Sequence, residues 1–181
     1  MRHRLSELLY ADTRRMAVLR QVRALCLPDA WIGAGFVRNA VWDAMAGRAP
    51  ALPDDIDVIW FDARRAAALR DRVLEQRLAR VAPALMWSVK NQSRMHSRNQ
   101  DLPYTSCRHA IGHWPETATA VAVRLDADDR LALLAPLGLD DLFASILRPT
   151  PGLANARRDV FLRRLQQKRW LERWPFLRLA D

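Results

Sequence analysis

The sequence predicts an α+β fold, a sheet of mixed strand direction with helices packed against it, and three observations lead there. Short apolar, β-branched runs alternate with longer stretches rich in Ala, Leu and Arg through the first half of the chain. A hairpin pattern follows, in which the run at 117–125 turns at Ala127-Asp128-Asp129 and returns at 131–134. The length of 181 residues, half of them hydrophobic, suits one domain spanning 1–181, with its core at 29–147 and a helical C-terminal extension at 155–173.

Each element has a local cause. Leu5, Leu8, Leu9, Met16, Leu19 and Val22 recur near helical spacing with arginines between them, which predicts one amphipathic helix or two short ones over 5–25, ended by Pro28-Asp29. A short apolar strand then runs from Trp31 into the turn Gly33-Ala34-Gly35, and a helix begins near Phe36. Pro50 and Pro53 exclude helix from the approach to Asp54, and Asp55-Ile56-Asp57 opens a second strand, Val58-Ile59-Trp60-Phe61. Residues 64–81 favour helix until Pro83, and 84–89 is a buried strand whose exit delivers the polar cluster 90–96. A loop at 97–103 and a short helix at 106–113 precede the hairpin. Pro136 and Gly138 then lead to a short helix at 140–146, and the Pro149-Thr150-Pro151-Gly152 linker leads to the last helix, with Asn155 as its N-cap.

Composition narrows the class. With 27% charged residues the chain is a globular protein and not a disordered one. The net charge of +9, with 27 of 29 basic residues arginine, favours phosphate-bearing partners or is spread over solvated helix faces; no dense basic run decides between these. Two cysteines, Cys26 and Cys107, build no disulfide framework and point to a reducing compartment. The N-terminus lacks a signal peptide's apolar core, and no apolar run approaches the ~20 residues that span a bilayer, so a cytoplasmic protein without a membrane partner is expected.

The stretch from Trp31 to Asp62 holds the chemistry. Asp55 and Asp57, two apart on a strand, point to one side of the sheet while Ile56 and Val58 point to the other. Adjacent carboxylates repel unless a cation joins them, and a hard divalent ion, Mg²⁺ or Mn²⁺, fits because it takes carboxylate oxygen and keeps places for water and phosphate. Gly33, Ala34 and Gly35 form a turn through which backbone N–H groups approach phosphate, aided by the N-terminus of the helix that follows. Arg38, on the first turn of that helix, can make a bidentate phosphate contact, and Asn39 can bond a sugar or cap the helix.

The order Ala34-Gly35-Phe36-Val37-Arg38-Asn39 to Asp55-Ile56-Asp57 resembles the Gly-Gly-x-Val-Arg-Asp to Asp-x-Asp signature of tRNA CCA-adding enzymes and of the wider DNA polymerase β-like nucleotidyltransferase superfamily. The four blocks WIGAGFVRNAVWD with DDIDVIWFD, WSVKNQSRMH, ETATAVAVRL and APLGLDDLFASILRPTP, covering 31–151, resemble more closely a bacterial family of small nucleotidyltransferase-like proteins. That resemblance implies transfer of a nucleoside monophosphate from an NTP to an acceptor hydroxyl, with Asp55 and Asp57 as metal ligands and catalytic groups and Gly35 and Arg38 near the triphosphate. The chain departs from the signature at Ala34 and Asn39, where the CCA-type pattern has Gly and Asp. Superfamily members that catalyse transfer use a third carboxylate on a later strand. Asp126 is the candidate, and an equally good account makes it the start of the hairpin turn. Without a third ligand the same fold is a degenerate nucleotide- or RNA-binding protein.

Three further clusters carry weaker readings. Lys90, Asn91 and Arg94 form either a second wall of the nucleotide pocket or a capped, solvated helix start. His96, Cys107, His109 and His113 match no closed zinc spacing. The basic last helix either packs with a solvated outer face or carries an acceptor, whose class, whether RNA, protein or small molecule, the residues leave open.

Overall fold

The computed structural model describes residues 1–154 and 158–180, and the N-cap expected at Asn155 falls outside them. The N-terminal periodicity resolves into two helices, α1 (Arg2–Ala11) and α2 (Thr13–Arg23). Asp12 separates them in an extended conformation, and its carboxylate accepts the Arg15 N–H to cap the second. The next stretch is β1 (Trp31–Gly33), α3 (Gly35–Met45) and β2 (Asp55–Trp60), followed by α4 (Ala68–Val81) and β3 (Met86–Asn91). Two short helices, α5 (Met95–Asn99) and α6 (Cys107–Gly112), lead to the hairpin β4 (Ala122–Leu125) and β5 (Leu131–Leu134). The chain closes with α7 (Asp140–Phe143), β6 (Ile146–Leu147), α8 (Pro151–Ala154), α9 (Arg158–Lys168), α10 (Trp170–Arg173) and β7 (Arg178–Leu179).

The main sheet has five strands in the order β3-β2-β1-β4-β5, parallel only between β2 and β3, where α4 makes the crossover. The mixed direction and flanking helices agree with the expected class. Several expectations fail locally: the linker expected at 149–152 runs into α8, the helix expected over 140–146 stops at Phe143, and two larger differences follow. The strand predicted from Thr117 begins at Ala122, because Thr117–Thr119 forms a 3-10 turn. The last helix breaks at Arg169, whose φ of 48° lies in the left-handed region, and α10 restarts at an angle to α9. A small parallel pair, β6 with β7, was not expected.

Alternation along β2 divides the sheet into two unlike faces. Ile56, Val58 and Trp60 enter the main core with Ile32, Val89 and Val123, against α1, α2, α3 and α4. Asp55, Asp57 and Ile59 face the other way. There Ile59 joins Trp31, Ala122 and Leu134 against Cys107 and Ile111 of α6, which covers part of that face. No helix among the described residues is long and apolar enough to cross a membrane.

Buried charge fixes the frame that carries Asp57. Arg15, wholly buried, donates from Nε to the Phe36 carbonyl (2.9 Å) and from a terminal nitrogen to the Ala51 carbonyl (2.6 Å), so α2 holds both α3 and the approach to β2. At the sheet edge, Glu75 accepts the Val89 N–H (2.9 Å) and Asp71 accepts the Asn91 N–H (3.0 Å), so α4 satisfies β3 donors that do not pair with β2. Asp71 also accepts the Trp60 indole N–H (2.9 Å) and pairs with Arg94. Asp71→Ala leaves these donors without an acceptor and is expected to lower the unfolding free energy by about 3 kcal/mol, measured by urea denaturation.

Candidate active site

The glycine turn is shaped by what lies against it. A Cβ on Gly33 would stand 2.8 Å from the Trp114 ring and 3.1 Å from the Val121 carbonyl oxygen, so only glycine lets β1 pass under that indole. Ala34 adopts φ 54°, ψ −125°, a conformation that L side chains rarely take, and its carbonyl accepts the N–H groups of Val37 and Arg38 to start α3. The residue that departs from the Gly-Gly pattern is thus the one whose backbone most favours glycine.

Beside this turn lies a cleft of about 860 Å³, within the range of small-molecule sites. Asp57, Ile59 and Ser88 line its sheet side, with Ala34 at the turn. Lys90, Gln92 and Arg98 line one wall; Trp114 and Thr119 lie beside the turn; Asp159, Arg163 and Arg164 of α9 form the opposite wall. Asp57 pairs in register with Ser88 of β3, as Asp55 does with Met86, so both carboxylates share the cleft face, Asp55 at its exposed edge. Burial and, after it, the negative charge of Asp55 raise the Asp57 carboxyl above its ordinary value, opposed by a hydrogen bond with Ser88 and by Arg164 and Lys168.

This donor set fits a hard divalent cation. Two carboxylates on one face, one of them destabilised by its neighbour's charge, gain from a shared cation, and Mg²⁺ needs few protein ligands when phosphates supply the rest. No group of three His, Cys, Asp or Glu side chains is placed to hold a metal among the described residues. Asp126, the expected third carboxylate, stands elsewhere. It is exposed in the β4–β5 turn, beyond the end of β4 that lies beside the start of β1, and its Oδ1 accepts the N–H groups of Asp128 and Arg130 (both 2.9 Å).

The other expected residues divide. Lys90 reaches the cleft and pairs with Glu75 at 2.6 Å. Asn91 does not: wholly buried, it donates to the Asp62 (2.8 Å) and Arg65 (3.1 Å) carbonyls and caps the turn that follows by accepting the Ser93 N–H. Arg94 turns to Asp71 outside the cleft. Arg38 is buried between the rings of Trp42 and Trp170, 5.2 and 4.3 Å from their centroids, and donates to Asn39 Oδ1 (2.9 Å) and Thr119 Oγ1 (3.1 Å). Burial pushes its pKa down to about 10, with Glu116 the largest opposing influence. Cys107 donates its thiol to the Asp29 carbonyl, and burial pushes that thiol far up, while His109 packs edge-on and His113 tilted against Tyr104.

Two residues that sequence reasoning did not single out complete the site. Glu116, wholly buried, pairs with Arg164 of α9 at 2.8 Å. The only local signal was an acid opening a β-branched run, and nothing local links it to a helix almost fifty residues on.

A sheet of this order, with paired carboxylates beside a glycine turn and a cationic wall, defines a nucleotidyl-transfer type of domain. The chain belongs to the nucleotidyltransferase family, whose sequence pattern matches residues 20–179. An NMR structure described as revealing a CCA-adding enzyme head domain is 34% identical, with a TM-score of 0.87 over 98% of this chain and 94% of that one. A CCA-adding enzyme solved with CTP (18% identical, TM-score 0.65) and the Thermotoga maritima CCA-adding enzyme solved with tRNA (17%, 0.61) share the fold over 98% of this chain. The chain spans less than half of those two, 43% and 42% of their lengths. No curated protein matches it.

Two stability measurements check the strain and charge assigned here. Ala34→Gly relieves backbone strain of about 1–3 kcal/mol against a glycine entropy cost of about 0.5–1 kcal/mol, so it is expected to stabilise the protein by about 1 kcal/mol in chemical denaturation. Asp57 has a folded-state pKa above its ordinary 3.8, so its contribution is intact below pH 3.8 and is lost as pH rises through the folded value. Asp57→Asn, in chelator, is therefore expected to raise the melting temperature at pH 7, with the gain vanishing below that lower pH; a variant less stable than wild type at pH 7 would contradict the assignment.

Proposed function

We propose that the protein is a metal-dependent nucleotidyltransferase that moves a nucleoside monophosphate from an NTP to an acceptor hydroxyl. The observation that carries this reading is the placement of Asp55 and Asp57 on one face of β2 beside a cleft walled by Lys90, Arg98, Arg163 and Arg164. In the reaction the acceptor oxygen bonds to the α-phosphorus, the bond from that phosphorus to the pyrophosphate oxygen breaks, and the hydroxyl proton is lost. Asp55 and Asp57 would hold a divalent cation, which when bound neutralises phosphate charge and favours the ionised acceptor. The chain's own part is to bind and orient. The strained turn at Ala34 brings backbone close to the substrate, and the cationic walls hold the triphosphate as it separates into product and pyrophosphate.

The neighbours solved with CTP and with tRNA support an NTP as donor and make RNA one candidate acceptor beside a protein or a small molecule. A second reading, nucleotide or RNA binding without turnover, is favoured by the position of Asp126 far from the acidic pair. The two part on one experiment. With Mg²⁺, an α-phosphate-labelled NTP is expected to pass its label to one of three offered acceptor pools (RNA, protein and small hydroxyl compounds), with one pyrophosphate released per transfer; binding without label transfer or pyrophosphate release supports the second reading. Asp55→Asn combined with Asp57→Asn is expected to weaken Mg²⁺-dependent NTP binding at least about tenfold, which is about 1.4 kcal/mol. Unchanged affinity would remove the metal-site assignment.

A further inference from the structure

Glu116 is a charge in an expensive place. It is wholly buried and lies just before the turn that leads into β4. Its backbone is fixed on both sides: its carbonyl accepts the N–H groups of Thr119 (3.1 Å) and Ala120 (3.0 Å), and the residue bridges to Pro149. From that mount its carboxylate meets Arg164 Nε at 2.8 Å. Burial raises the Glu116 carboxyl, while Arg164 and then Arg38 oppose the shift. An isolated buried carboxylate costs several kcal/mol, so this one persists because two guanidinium groups surround it.

Arg164 has two surroundings. Its Nε faces Glu116, and the side chain also lines the cleft, where its charge acts on Asp57. The ion pair sets Arg164 Nε 2.8 Å from a Glu116 carboxylate oxygen, and a guanidinium carries four further N–H donors on its terminal amino groups. A long arginine on a surface helix otherwise samples many rotamers, and fixing it carries an entropic cost.

We infer that Glu116 is a positioning residue, which holds the Arg164 guanidinium at the cleft wall opposite Asp57 so that it meets the phosphates of the nucleotide. The inference rests on the reading of the cleft as an NTP site. Arg38 and Arg164 repel one another, and Arg38 is locked between two tryptophans. Removing the charge of Glu116 therefore drives Arg164 to give way, out of its place over the cleft.

The test is a binding cycle with a non-hydrolysable NTP and Mg²⁺, read by calorimetry. Glu116→Gln is expected to raise Kd about tenfold, as is Arg164→Met, and the double variant is expected to bind no more weakly than Arg164→Met alone. Glu116→Asp, which keeps the charge, is expected to recover part of the loss, and it carries the test with the same sign should Glu116→Gln fail to fold. A substrate series is expected to place the loss on KM more than on kcat. Leu78→Ala, in the main core on the other face of the sheet, serves as the control: it lowers stability and leaves Kd unchanged. Glu116→Gln binding as tightly as wild type, or tighter, overturns the inference, as does a further loss when it is added to Arg164→Met. Wild type failing to bind the NTP removes the underlying reading instead, and is recognised by the absence of any reference affinity.

Discussion

Arg38 sits with its guanidinium out of water between Trp42 of α3 and Trp170 of α10, and most of the site's geometry follows from what that burial requires. Taking such a charge out of water costs several kcal/mol unless it is compensated, and a desolvated cation over an indole recovers about 2 kcal/mol or more. Hydrogen bonds to Asn39 and Thr119 and the charges of Glu116 and Asp57 supply the rest, and with its pKa near 10 the group stays protonated at neutral pH. No single element can meet these demands. The helix after the glycine turn, the residues ahead of β4 and the C-terminal helices must all be present together, so the site closes only when three separate stretches of the chain have met. The break at Arg169 serves the same end, since a straight helix from Arg158 would not deliver Trp170 and Trp174 to Trp42.

The two faces of the sheet divide stability from chemistry. The face bearing Ile56, Val58 and Trp60 is buried in the main core, and ion pairs at Arg15 and Asp71 hold the frame. On the other face, beside the apolar cluster under α6, several local choices go against stability: an alanine in a glycine conformation, two like charges side by side, and a half-buried carboxylate. Such features persist only where the surroundings over-determine them, and here they gather within one turn and one strand.

Much of this was legible because it is local. Period-two alternation placed Asp55 and Asp57 on one face, prolines marked the helix limits, and Asp12 and Ser106 cap where the sequence has short polar residues. What escaped depends on contacts between distant residues. Arg38 reads as a phosphate ligand from its position on a first helical turn, yet its direction is set by Trp170, 132 residues later. Asp126 has the composition of a ligand and the backbone duties of a turn, and the turn claims it through the N–H groups of Asp128 and Arg130. Glu116 lay in a recognised block, but its importance comes from Arg164, on a helix whose arginines look interchangeable in one dimension.

The ion pairs of the cleft bear on what it can select. Lys90 pairs with Glu75, Arg163 with Asp159 and Arg164 with Glu116, so these cations have carboxylate partners before any substrate arrives. A singly charged anion offers each of them little more than it already has, and the exposed pair of Arg163 with Asp159 is worth at most about 1 kcal/mol. A triphosphate, the donor proposed above, would differ in presenting several charges at fixed spacing to the cations of the cleft. Arg164 differs from Arg163 and Lys90 in that its carboxylate partner, Glu116, is wholly buried. The cations of the cleft thus carry their own counter-charges in the folded protein, the buried carboxylate of Glu116 among them.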